Sequence, residues 1–183
     1  MPRLLNGYKQ WMQASFSSPS PRSDTLFTLV QFNVFRALDC NARLLFLPRN
    51  HAFDDDSTSI MADPRYLIPD GIAPPLRPTH LQRTVSHHPW IDLLPLPRMR
   101  DNLIRAGESY DEEALCNGLV GCGSDAGDRM GMLVWGQPWD PAGWEVTEEF
   151  LERWGWTVAG CRELFESTNH WRKKRGVAML PLK

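Results

Sequence analysis

Apolar positions recur with helical spacing most persistently between residues 23 and 47. Leu26, Phe27, Leu29, Val30, Val34, Leu38, Leu44 and Leu45 repeat at that interval, and Phe32 and Phe35 widen the stripe. A stripe this wide predicts a helix covered on more than one side, the central helix of the core. Ser23 or Asp24 supplies an N-cap. Pro48 sets the limit, because the residue before a proline is driven out of the helical region.

Shorter helices are predicted by their start signals. Thr79-His80-Leu81-Gln82 has capping-box form, and the chain must change direction near His88-Pro89. Pro97 pre-sets the first turn of a helix carrying Leu103 and Ile104. Ser109-Tyr110-Asp111-Glu112 reads as a second capping box, opening a helix that the glycines from Gly121 interrupt. Asp140-Pro141 is a cap followed by proline, and Thr147 caps a helix that should end at Gly155. A last helix runs through Leu164, Phe165 and Trp171 into Arg172-Lys173-Lys174-Arg175-Gly176. Met132-Leu133-Val134-Trp135 fits a buried strand and a helical turn equally well.

Between these elements the periodicity dissolves. Residues 49–78 carry an aspartate triplet and five prolines and read as a long crossing segment that has to pack on the body. The expected class is mainly α: a compact helical domain of about five to seven helices, long Pro-rich connections and at most a minor strand pair. Residues 1–22 are expected to be a flexible arm, 23–176 a single helical domain and 177–183 a tail.

Composition narrows the class. The 183 residues are 42% hydrophobic and 23% charged, with 8 Trp and 8 Phe, which suits one globular body. A net charge of -2 supplies no global basic field for nucleic acid. No stretch has the length of a signal-peptide core or a bilayer span, so no membrane role and a nuclear or cytoplasmic location are expected. Cys40, Cys116, Cys122 and Cys161 are widely spaced and form no CxxC pair, which reads as reduced, buried thiols. Neither a metal site nor a cofactor is expected.

The densest acid–base group is His87-His88-Pro89-Trp90 with Asp92 nearby. His88 with Asp92 is the candidate catalytic pair, since a carboxylate-oriented imidazole serves as a general base. The bland alternative has one histidine bonded to backbone and the other facing solvent. Arg98 and Arg100 are candidates for an anion clamp, against a reading in which Arg98 fixes Asp92 and Asp101 pairs with Arg105. Trp90, Trp135, Trp139, Asp140, Trp144, Trp171 and Arg172 are candidate ligand or partner contacts, with core packing as the alternative for the tryptophans. The basic run from Arg172 reads as an import or phosphate patch, or as a solvated helix end. The aspartate triplet reads as a solvated acidic loop.

Several blocks together resemble a fungal domain of unknown function that commonly lies C-terminal to basic-leucine-zipper segments in transcription-factor-like proteins. They are residues 28–38, 76–82, 87–95, 97–104, 134–146, 150–156 and 167–172, including His87-His88-Pro89-Trp90 and Trp135-Gly136-Gln137-Pro138-Trp139-Asp140-Pro141. The resemblance runs from about Ser23 to Gly176 and implies a role near transcription regulation. Residues 1–22 hold neither a basic region nor leucine heptads, so direct DNA binding is not expected. The implied function is a regulatory or interaction module, binding a protein partner or small ligand through a Trp-rich face, with a homodimer admitted. A stand-alone enzyme or ligand-binding protein of fungal metabolism is the other reading.

Overall fold

The computed structural model describes residues 23–54, 56–121 and 131–181, and for residues 23–32 and 49 the backbone alone. Expectations for residues 1–22, for the Ser23 or Asp24 cap, for Leu26 to Phe32 as stripe residues, and for Asp55 and Cys122 lie outside the described residues.

The fold is mainly α, with seven α-helices and a two-stranded antiparallel sheet among the described residues. Helix α1 is Ser23–Leu44, and α2 is a single turn at Arg49–Ala52. Then follow α3 at His80–Thr84, α4 at Pro97–Ala106 and α5 at Glu112–Val120. Strand β1, Met132–Val134, pairs with β2, Trp144–Val146, placing Leu133 opposite Glu145. Helices α6, Glu148–Trp154, and α7, Arg162–Lys174, complete the order. Short 3-10 turns at Ile60–Ala62, Pro74–Leu76, Pro89–Leu93, Pro141–Gly143 and Gly155–Val158 join them.

Helix α1 buries Val34, Phe35, Ala37, Leu38, Asn41, Ala42 and Leu45. Leu44, read as a stripe residue, faces outward instead. It lies six residues beyond Leu38, roughly 240° around the helix, and so falls on the far side. The helix ends in a Schellman pair: Leu47 N–H donates to the Ala42 carbonyl and Phe46 N–H to that of Arg43. The left-handed residue of that motif is Phe46, with φ of 55°, where glycine is the usual occupant. Its ring is 72% exposed, so little packing offsets the strain.

The capping box at Thr79 and the caps at Asp140 and Thr147 form as expected. One expected boundary moves. Helix α5 is capped by Asp111, which accepts from Ala114 N–H, because Ser109 N–H is already bound to Ala106 O at the end of α4. Helix α6 ends with Gly155 as its C-cap, as expected, although the Gly155 backbone stays right-handed and a 3-10 turn follows through Val158. The crossing segment also has more structure than its proline content suggested. It contributes Ala52, Phe53, Met61, Ile72 and Leu76 to the single hydrophobic cluster.

The aromatic C-terminal half and α1 are parts of that same cluster, and one side chain bolts them together. Asn41, fully buried on α1, donates from Nδ2 to Leu93 O at 2.8 Å and to Pro138 O at 2.9 Å. Pro138 O also accepts from the Trp144 indole at 2.9 Å. The loop between the strands folds back so closely that a β-carbon on Gly136 would stand 3.0 Å from Gly143 Cα. Helix α7 covers β2, with Thr168 Oγ1 accepting the Val146 N–H and Ser167 donating to Ala142 O.

Asn41→Ala takes the side-chain donor from the buried Leu93 carbonyl and leaves Pro138 O with the Trp144 indole alone, and is expected to lower unfolding stability by about 1–3 kcal/mol, read from the urea midpoint at unchanged m. Phe46→Gly relieves the left-handed strain without opening a cavity and should raise stability by about 1 kcal/mol in the same assay. An unchanged midpoint for either variant contradicts the assignment.

Candidate functional site

Pro89 starts a 3-10 turn that swings Asp92 inward, where it has no exposed surface. A buried carboxylate needs donors on both oxygens. Gln82 Nε2 donates to Oδ1 at 2.6 Å and Ser59 Oγ to Oδ2 at 2.5 Å. His87 Nε2 lies 2.8 Å from Oδ1, and its side chain is 2% exposed. Gln82 is itself fixed because its Oε1 accepts the Thr79 N–H of the capping box. Ser59 is held by its own N–H on His87 O at 2.8 Å.

The second ring nitrogen of His87, Nδ1, is 2.7 Å from Val85 O. A carbonyl only accepts, so the Val85 contact calls for a hydrogen on Nδ1, and the Asp92 carboxylate oxygen favours another on Nε2. This geometry favours the imidazolium form. Burial works to lower its pKa, but the hydrogen bond and charge of Asp92, aided by Val85 O, outweigh it and leave the value above that of an ordinary histidine.

Arg100 is the second cation. It is buried, with Nη1 on Pro75 O and Leu94 O and Nη2 on Arg77 O, at 2.7 to 2.9 Å. Burial pulls its guanidinium down to about 10, while Asp92 and Asp101 act in the opposite direction, so it remains charged at neutral pH. Asp92, His87 and Arg100 thus form a buried charge group with Asp92 at its centre.

This arrangement changes the acid–base reading. Asp92 pairs with His87, not His88, because His88 is the extended N-cap of the 3-10 turn and adjacent extended residues point to opposite sides. Both His87 nitrogens are committed, so the ring offers no lone pair to a substrate or metal. Arg98 lies across Gly160, where an added β-carbon would meet its Nε at 3.2 Å, rather than against Asp92. Asp101 and Arg105 do pair, at 3.4 Å. Among the described residues no group of three or more His, Cys, Asp or Glu is placed to hold a metal ion. Cys40, Cys116 and Cys161 are free thiols, and burial pushes Cys161 up to about 12, foremost over the nearby Glu163.

His88 turns outward into a cleft of about 280 Å³, lined also by Asp56, Ile91, Ile104, Tyr110 and Glu112. Its Nδ1 is 3.9 Å from Glu112 Oε1, the oxygen that accepts the Trp90 indole N–H. Trp90 itself is a core residue.

The other tryptophans divide. Trp144 is fully buried, Trp139 packs partly buried on the core, and Asp140 serves as a cap beside them. Trp135 is 44% exposed and stacks on Trp171 at 5.8 Å and 26°. Arg175 lies over Trp135 at 4.9 Å, and Lys174 Nζ over Trp171 at 4.5 Å. Glu145, buried behind them, accepts from the Trp135 indole at 2.7 Å and takes a two-bond fork from Arg175. The Trp171 indole donates to Ala142 O at 2.9 Å. Arg172 is buried, bonded to Glu148 and to Ala178 O. Sequence reasoning passed over Glu145, although a lone acid between Trp144 and Val146 in a short strand was the available signal.

A family profile described as a domain of unknown function (DUF3425) matches residues 56–164, more than half of the chain. The chain belongs to the DUF3425 family. No curated protein and no solved structure matches it. The DUF3425 match contains Ser59, Gln82, His87, Asp92 and Arg100, hence the whole buried charge group, and every residue lining the cleft. Asn41, Trp171 and Arg175 lie outside it.

Asp92→Asn strands two buried cations and should cost about 3–5 kcal/mol, whereas His88→Ala should stay within about 1 kcal/mol of wild type. The stability that His87 contributes, measured as wild type minus His87→Gln, should be full below about pH 6.5 and fall as pH rises through the raised native value. A contribution that grows with pH contradicts the imidazolium.

Proposed function

We propose that the chain is a regulatory interaction module, of the kind that accompanies zipper-type transcription regulators in fungi, and that it engages a protein partner through the Trp135–Trp171 face. The carrying observation is an aromatic pair held in one geometry, Trp135 exposed and Trp171 half-buried: two indoles stacked, both N–H groups bonded, and cations over both rings. Tryptophan and arginine dominate binding hot spots because they bring large area with little freedom left to lose. Trp144 fills solid core rather than a cavity, which favours a protein over a small molecule at this face. The sequence resemblance supports the regulatory setting and a nuclear or cytoplasmic location.

Direct DNA reading is not part of this function. Two of the four cations at the end of α7 are ion-paired, Arg172 with Glu148 and Arg175 with Glu145, which leaves a weaker patch than the sequence run suggests. Catalysis by a His88–Asp92 pair is likewise set aside, because Asp92 is enclosed by His87, Gln82 and Ser59.

The test compares partners recovered on immobilised full chain with those recovered on Trp135→Ser/Trp171→Ser and on a control, Trp156→Ser. The expected outcome is a protein retained by wild type and control and lost from the double variant, with the fold of all three verified by circular dichroism. Equal recovery on the double variant contradicts the proposed face. Tight duplex-DNA binding with a steep salt slope contradicts the non-reading part.

A further inference from the structure

The cleft beside His88 shares no lining residue with the tryptophan face, and its chemistry points to a different kind of ligand. We propose that it binds a small organic cation, an ammonium group carried on a compact apolar body. Its volume of about 280 Å³ stands just below the common range of ligand sites, about 300–1,000 Å³, which limits the occupant to a small molecule.

Charge selects the sign. Asp56, Glu108 and Glu112 line the cleft, and no lysine or arginine does. The His87 charge is balanced by Asp92 directly behind it. Glu112 is not a mobile surface acid: it begins α5, accepts the Trp90 indole and stands 3.9 Å from His88 Nδ1. The cleft therefore carries net negative potential, with one carboxylate fixed in place, and an anionic ligand is repelled.

The rest of the lining suits the body of such a cation. Ile91, Leu103 and Ile104 are buried core residues that form its apolar wall. Tyr110 adds an aromatic ring, set 5.3 Å from Trp156, and ammonium groups are attracted to aromatic faces. Burial, and then Glu112, raise the Tyr110 pKa, so the phenol stays neutral. Among the described residues its hydroxyl has no hydrogen-bond partner, leaving one donor and acceptor for a ligand.

The full chain, labelled with 15N, is titrated with benzylammonium and cyclohexylammonium, and with benzyl alcohol and benzoate as neutral and anionic counterparts. Saturable shifts at the amides of Ile91, Glu108, Tyr110 and Glu112 are expected for the two cations, with benzyl alcohol at least tenfold weaker and benzoate weaker still. Glu108→Gln/Glu112→Gln should weaken the cations tenfold or more and leave benzyl alcohol unchanged. If that variant does not fold, Asp56→Asn/Glu108→Gln takes its place, with a several-fold loss expected. Benzyl alcohol matching the cations, neutralised variants binding as wild type, or no saturable shift at the cleft with either cation overturns the proposal.

Discussion

A carboxylate without exposed surface is stable only if donors come to it, and Asp92 determines where four segments of this chain must lie. Ser59 donates from the crossing segment, Gln82 from α3 and His87 from the link after it, while Arg100 on α4 adds its charge without a hydrogen bond to the carboxylate. Arg100 in turn takes the carbonyls of Pro75, Arg77 and Leu94, so a stretch rich in prolines, which lack N–H donors, is held by its oxygens. The segment from residue 49 to residue 78 is also tied by its core residues and by Tyr66, whose hydroxyl donates to Leu45 O and whose carbonyl accepts from Arg83. It forms one wall of the cleft. The DUF3425 match spans all of these residues, so the charge group belongs to the family's defining stretch.

A second tie, Asn41, joins this body to the C-terminal half by bonding Leu93 O and Pro138 O at once. The loop it reaches leads into β2, and β2 carries Glu145, which fixes Trp135 and Arg175 from below. The aromatic pair is consequently held by a chain of buried polar contacts in addition to its own stacking. The two outward features, the tryptophan face and the acidic cleft, are each built on a buried carboxylate with donors on both oxygens.

Local signals carried much of this fold in the sequence. Caps at Thr79, Asp140 and Thr147, the proline starts at 97 and 141, and the period of α1 at Val34, Leu38 and Leu45 depend on neighbours within a few residues, and they appear where expected. The long-range polar contacts were not legible. Nothing in the spacing of Asn41, Ser59 and Glu145 says that each meets a partner 30 or more residues away, as in Ser59 with Asp92 and Glu145 with Arg175. The site was half legible for the same reason. His87, His88 and Asp92 stood out as a cluster, but which histidine faces the carboxylate depends on the 3-10 turn at Pro89 and on Val85 O. Asp111 displaced Ser109 as a cap because Ser109 N–H was already used by the preceding helix, a competition invisible to a motif.

The most direct test of this account is 15N NMR of the His87 ring in the full chain at neutral pH. An imidazolium, with hydrogens on both Nδ1 and Nε2 and slow exchange with water, is the result predicted for a ring locked between Val85 O and an ionised Asp92. A neutral ring with one bare nitrogen would contradict the charge group, and would return His87 to the set of groups able to take a proton from a substrate.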